Sequence, residues 1–161
     1  MGDYADAIIP KDPRFDYNSL DLEFKTPQEQ YMEITRLFKP IASKCLGLLD
    51  GNHDIIHWKR QSHNYVWELA ENLKVKYLTY DAQIDLFFEK FGVPFKMYAH
   101  HGHTGARSAG GKINRIYDLF NVFPMLDLYL MGHVHDLGFA PKKTSLYTNG
   151  KGEIHDKISH F

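Results

Sequence analysis

Six of the ten histidines fall in three short motifs, each placed directly after an apolar run. His53 follows Asn52 in the tetrapeptide Gly51, Asn52, His53, Asp54. His100, His101 and His103 surround Gly102, and His133 and His135 flank Val134 after Gly132. The remaining four, His57, His63, His155 and His160, are scattered. Near the start, Gly2 and Asp3, with Asp6 three residues on, add carboxylates. Imidazole, amide and carboxylate donors without thiolates suit manganese, iron, zinc or nickel, whereas a structural zinc usually recruits cysteine. A Leu-rich strand stopped by Gly51 would deliver Asn52 and His53 side by side at a sheet edge, where open α/β proteins place their chemistry.

Taken in order, the Gly2-Asp3 pair with Asp6, the Gly-Asn-His-Asp run, the strand-terminal His101-Gly102 and the Gly-His-x-His run at 132–135 resemble the calcineurin-like metallophosphoesterase family over residues 2–136. The family's opening Asp-x-His motif has no counterpart here. The resemblance implies an α/β fold, a four-layer sandwich of two mixed β-sheets flanked by helices. Residues 1–161 would be one partial domain of it, lacking the first strand and the C-terminal strands. It implies two divalent ions, manganese first and iron, zinc or nickel next. Asp3, Asn52, His101 and His133 would surround one ion; Asp3, as the bridge, and His135 would serve the other together with the absent Asp and His, so that only one ion would be retained. His101 is chosen because the family's ligand commonly precedes the glycine; His100 remains the alternative, and His103 becomes a phosphate contact. His53 resembles the family's proton donor and Asp6 the carboxylate that orients it. Asp54 could replace Asp6 or cap the following helix.

The implied activity is hydrolysis of a phosphodiester or phosphomonoester by metal-activated hydroxide, with a nucleotide or nucleic acid among the substrates. Ala7 and Ile8 after Asp6, and Asp54 after His53, depart from the phosphoprotein phosphatase branch and favour a phosphodiesterase or nuclease-like member of the kind found in bacteria and phages. The alternative is a non-catalytic or single-metal remnant serving as a metal-binding or interaction module. The missing motif and the stop at Phe161 also fit a piece of a longer reading frame in which Met1 is internal.

The elements that must position these residues can be read from pattern. Residues 1–25, with Pro10 and Pro13, read as a loop; Arg14 in it either contacts substrate phosphate or pairs with Asp12 or Asp16. Thr26, Pro27 and Glu29 form a helix start with a capping box, and Tyr31, Ile34, Phe38 and Ile41 give that helix one packing face to about residue 39. A second helix is expected over 58–73, and strands over 45–49, 75–80, 84–88, 95–99 and 126–131, with a turn at 81–83. Gly105 to Lys112 looks like a phosphate-binding loop but places its lysine one position late with no Ser or Thr after it; a glycine-rich lead into a helix over 112–120 is the plainer reading. Gly132 is expected to supply the turn that lets His133 and His135 reach neighbouring ions. Asn149-Gly150 marks a hairpin between 145–148 and 153–161.

Composition bounds the rest. A chain of 161 residues fits one domain or most of one, and a formal charge of -1 gives no general attraction to nucleic acid or an anionic membrane. Cys45 has no partner for a disulfide, and no signal segment or membrane-length apolar run is present, so the expectation is a cytoplasmic protein without a membrane partner.

Overall fold

Thr26 opens the first helix through reciprocal bonds. Its Oγ1 accepts from the Glu29 backbone N–H at 3.2 Å, and Glu29 Oε2 accepts from the Thr26 backbone N–H at 2.8 Å. With Pro27 at the first helical position, where no donor is lost, α1 runs Pro27–Phe38. The structure is a computed structural model and describes residues 1–21, 23–90, 92–103, 105–135 and 143–160. The chain is mixed α/β, with four α-helices and two small sheets among the described residues. It divides into two compact units, Met1–Tyr80 and Asp81–Phe161.

In the first unit, α2 (Asn52–Gln61) lies against α3 (Tyr65–Leu73), and α1 packs on α3 around Ala7, Tyr31, Leu48, Val66, Leu69 and Ala70. The single helix expected over 58–73 is instead two. Ser62 takes left-handed backbone (φ +54°) and ends α2, and Asn64 Oδ1 accepts from the Trp67 N–H at 2.8 Å to start α3. The two helices bury different groups: α2 buries Asp54 and His57, whereas α3 buries the apolar Val66, Leu69, Ala70 and Leu73. The expected strands at 45–49 and 75–80 shrink to one parallel bridge, Leu48 to Tyr77, secured by Leu48 N–H to Lys76 O and Leu78 N–H to Leu48 O, both 2.8 Å.

In the second unit, β1 (Asp81–Phe87) runs antiparallel to β2 (Pro94–His100), which runs parallel to β3 (Leu128–Met131); α4 (Ala109–Val122) makes the crossover between β2 and β3. Tyr98, Leu126 and Tyr129 are buried beneath Ile116, Tyr117, Leu119 and Phe120 of α4. Asp81, Ala82 and Gln83 are not a turn: they pair with His100, Ala99 and Tyr98 as the first part of β1. Cross-strand pairing here outweighs the local turn preference of Asp81, and the reversal lies between Phe87 and Pro94. β4 (Lys143–Thr148) and β5 (Ile154–Ser159) form the hairpin signalled by Asn149-Gly150, and His160 bridges to Leu128. No helix among the described residues is long and apolar enough to cross a membrane.

Because the box at Thr26 satisfies two donors at an exposed helix end, Thr26→Ala should lower stability in urea by about 1 kcal/mol without changing the fold.

Candidate functional site

The first unit gathers Asp3, Asp6, Asn52, His53 and Asp54. Gly51 is the N-cap of α2, so Asn52 and His53 occupy the first helical turn itself rather than a loop before it. The carboxylates of Asp3 and Asp54 both serve this helix start. The His53 backbone N–H donates to Asp3 Oδ1 at 2.9 Å, and the Gly51 N–H donates to Asp54 Oδ2 at 2.6 Å. The positive end of the helix dipole favours two carboxylates there. Asp54 Oδ2 also accepts from the Asp3 N–H at 2.8 Å, while Oδ1 accepts from the Tyr31 hydroxyl of α1. Only 3% of Asp54 is exposed, and burial, followed by the nearby charge of Asp54, holds the Tyr31 phenol far above its ordinary range.

This arrangement needs backbone to approach backbone. A Cβ on Gly51 would lie 2.0 Å from Asp3 Oδ1, and one on Gly2 would lie 2.5 Å from Gly51 N. Gly2 (φ +83°) and Asp3 (φ +54°) are both left-handed; for Asp3 that is a strained state, held by the bonds to Asp54 and His53. Asp6 lies further along the same arm, its Oδ1 3.2 Å from His53 Nδ1. Arg14 lies near Asp6 but is engaged by Asp12. Its Nε and a terminal nitrogen donate to the two oxygens of Asp12 at 3.0 and 3.1 Å, and these bonds first of all pull the Asp12 carboxyl down to about 2.

The second unit gathers the other histidines at the ends of β2 and β3. Parallel pairing sets His100 opposite Met131, so His101 and His133 follow their strands at the same edge. His101 is 1% exposed, His133 half-buried, and their ring centroids lie 5.3 Å apart at 71°. That spacing suits two ligands of one ion with metal–nitrogen bonds of ~2.1 Å. Gly102 (φ +91°) leaves room for the neighbouring strand end, since a Cβ there would meet Met131 Cγ at 2.6 Å. The expected role of Gly132 needs correction: the left-handed residues are His133 (φ +67°) and His135 (φ +52°). The histidines themselves carry the turn, closed by a bond from Val134 N–H to Gly132 O at 2.8 Å. His103 and His135 are exposed; His100 is half-buried, and burial lowers its pKa.

Three holders escaped the sequence reading. Asp54 was legible as a helix cap, being the third residue after Gly51, but not as the anchor of Asp3. Tyr31 carried no local signal, because a tyrosine on an apolar helix face reads as core. Lys112, at the end of the glycine-rich run, donates from Nζ to Val134 O at 3.0 Å and braces the histidine turn.

His57 and His63 stand apart. His57 is buried against Tyr65, with Gln61 3.3 Å from its Nδ1, and His63 Nε2 pairs with Glu68 at 2.9 Å.

Gly51→Ala should push the N-terminal arm off the start of α2. Faster hydrogen exchange at the Asp3 and His53 amides and a stability loss of about 1–3 kcal/mol are the expected results. Compared with protein-family models, with curated proteins and with solved structures, the chain has no match, so the reading of these groups rests on their own chemistry.

Proposed function

We propose that the chain is a metal-dependent phosphoesterase acting on a phosphodiester, with phosphomonoesters, nucleotides and nucleic acid within the same substrate class. The reading includes the finer architecture implied by the sequence resemblance, a four-layer sandwich of two mixed sheets between helices. Asp3, Asn52, His101, His133 and His135 are the proposed ligands, with two divalent ions, manganese first. The donor set fits: nitrogen and oxygen donors only, three of the five (Asp3, His133 and His135) on strained left-handed backbone of the kind that collects at functional sites. When bound, such ions offset the charge on the phosphoryl oxygens and lower the pKa of the attacking water.

The observation that carries the proposal is the pairing of His53 with Asp6. Through Nδ1 the imidazole is held 3.2 Å from Asp6 Oδ1, and through its backbone N–H the same residue holds Asp3. An imidazole oriented at one nitrogen by a carboxylate presents its other nitrogen in a fixed direction, which is what donating a proton to a departing alkoxide needs. Asp6 therefore orients, His53 donates, and Asp3 ties that donor to the proposed ligand set. Arg14, held by Asp12, is assigned no phosphate contact in the resting state; His103, exposed beyond Gly102, is kept as a substrate contact.

The test begins with elemental analysis and manganese-dependent hydrolysis of bis-p-nitrophenyl phosphate, abolished by chelator. His53→Ala should lower turnover of an alkyl diester about 10²–10⁴-fold while affecting the nitrophenyl ester far less, because nitrophenolate leaves without a proton. Equal loss on both esters would remove His53 as the donor. About one ion per chain and no turnover of either ester would replace the hydrolase by a metal-binding module.

A further inference from the structure

Within the first unit, the loop before α1 forms a half-open cavity of about 420 Å³ whose apolar side is made by Ile8, Phe15, Leu20 and Phe24 and whose rim is polar. One side chain stitches the walls in place. Gln30 Oε1 accepts from the Ala7 N–H at 3.0 Å, and its Nε2 donates to Phe24 O at 3.2 Å, so the two arms of the loop are fixed to the same turn of α1. Asp6 also lines the cavity, and its other neighbour is His53 Nδ1. The cavity therefore begins at the carboxylate that orients the proposed proton donor.

Its charge limits what can enter. Asp6, Asp16 and Asp21 line it against one cation, Arg14, whose guanidinium is already engaged by Asp12. Asp16 and Asp21 are held in place by the backbone N–H groups of Asn18 and Glu23, at 2.9 and 2.7 Å. A second phosphate or a carboxylate would meet repulsion here, while an uncharged ring would find two phenylalanines and two aliphatic side chains. The size lies within the range of small-molecule sites.

We propose that this cavity receives an organic group of the ester, and that the group it selects is uncharged and carries an aromatic ring. The inference rests on the proposed phosphodiesterase reading. In the reaction a water oxygen forms the new P–O bond and releases a proton to solvent. The old P–O bond breaks with its electron pair on the departing oxygen, which takes a proton from His53 Nε2 and leaves as the alcohol. The second ester stays on the phosphate product.

Binding and turnover separate this inference from the reading beneath it. In NMR titrations of the full chain, benzyl alcohol should shift the resonances of Ile8, Phe15 and Phe24, and 4-(hydroxymethyl)benzoate, the same ring with a carboxylate, should not. In manganese, benzyl methyl phosphate should exceed ethyl methyl phosphate by about tenfold in kcat/KM, a ratio that falls to about one in both Phe24→Ala and the cavity-filling Leu20→Trp. Benzyl alcohol that shifts none of these resonances, a benzoate that binds as well, or a ratio unchanged in both variants overturns the inference. Hydrolysis of neither ester, with benzyl alcohol still bound in the cavity, overturns the phosphodiesterase reading instead.

Discussion

A buried carboxylate with three donors on it holds the first unit's site together. Asp54 is removed from water at the start of α2, a state that is costly for a charge unless every lone pair in reach is used. Here the Gly51 and Asp3 amides share one oxygen and the Tyr31 hydroxyl takes the other. Each donor comes from a different part of the chain, so satisfying the charge fixes three elements at once. The price of that closeness is glycine at 2 and 51, where any side chain would strike backbone. Tyr31 in turn stacks on Tyr65 with ring centroids 4.8 Å apart and planes 9° from parallel, which couples the site to the packing of α1 on α3. Site and core in this unit are therefore not separable: the tyrosine that closes the core also completes the hydrogen bonding of the site.

The second unit positions its groups by a different device. No carboxylate is buried among its described residues; the parallel pairing of β2 with β3 brings two strand ends to one edge, and the crossover through α4 fixes their order. His101 and His133 come together because each directly follows, or nearly follows, its strand. The turn after β3 is strained at both histidines and is held by a local Val134 bond and by Lys112 from the first turn of α4. Strain of this kind persists only where surrounding contacts over-determine it. The lysine that failed as a phosphate-loop residue finds its use in that over-determination.

Much of the local structure was legible because its causes are local. The capping box at Thr26, the Asn149-Gly150 hairpin and the apolar runs of β2 and β3 each need only neighbouring residues to specify them. What was misread depends on distant partners. Asp81 to Gln83 looks like a turn until β2 pairs with it, and residues 58–73 look like one helix although left-handed backbone at Ser62 and the cap at Asn64 divide it. The strand expected at 45–49 is reduced, among the described residues, to a bridge from Leu48 to Tyr77. Among the candidate site residues, the sequence could place Asn52 with His53 and His133 with His135 by adjacency alone. The contact of Asp6 with His53 was expected from the resemblance, and the pairing of Arg14 with Asp12 was one of two readings of its loop; that Asp3 caps α2 is a fact of the folded arm, which no spacing encodes.

The sign of the charge around His53 bears on how any phosphate ester could be handled. A helix N-terminus is ordinarily an anion site, but the donors of α2 nearest the start are already answered by the carboxylates of Asp3 and Asp54. Asp6 adds a third carboxylate, and the guanidinium of Arg14 is neutralised within its own loop. A phosphodiester approaching these side chains alone would be repelled, since a like charge is unfavourable where an opposite one is wanted. Divalent cations invert that balance, because a bound ion is the largest local charge in its site and turns surrounding carboxylates from a barrier into the means of holding it. On the proposed reading, the acidity that makes this end of the unit hostile to phosphate is what would hold the ions, and a basic surface would not be needed for an anionic substrate.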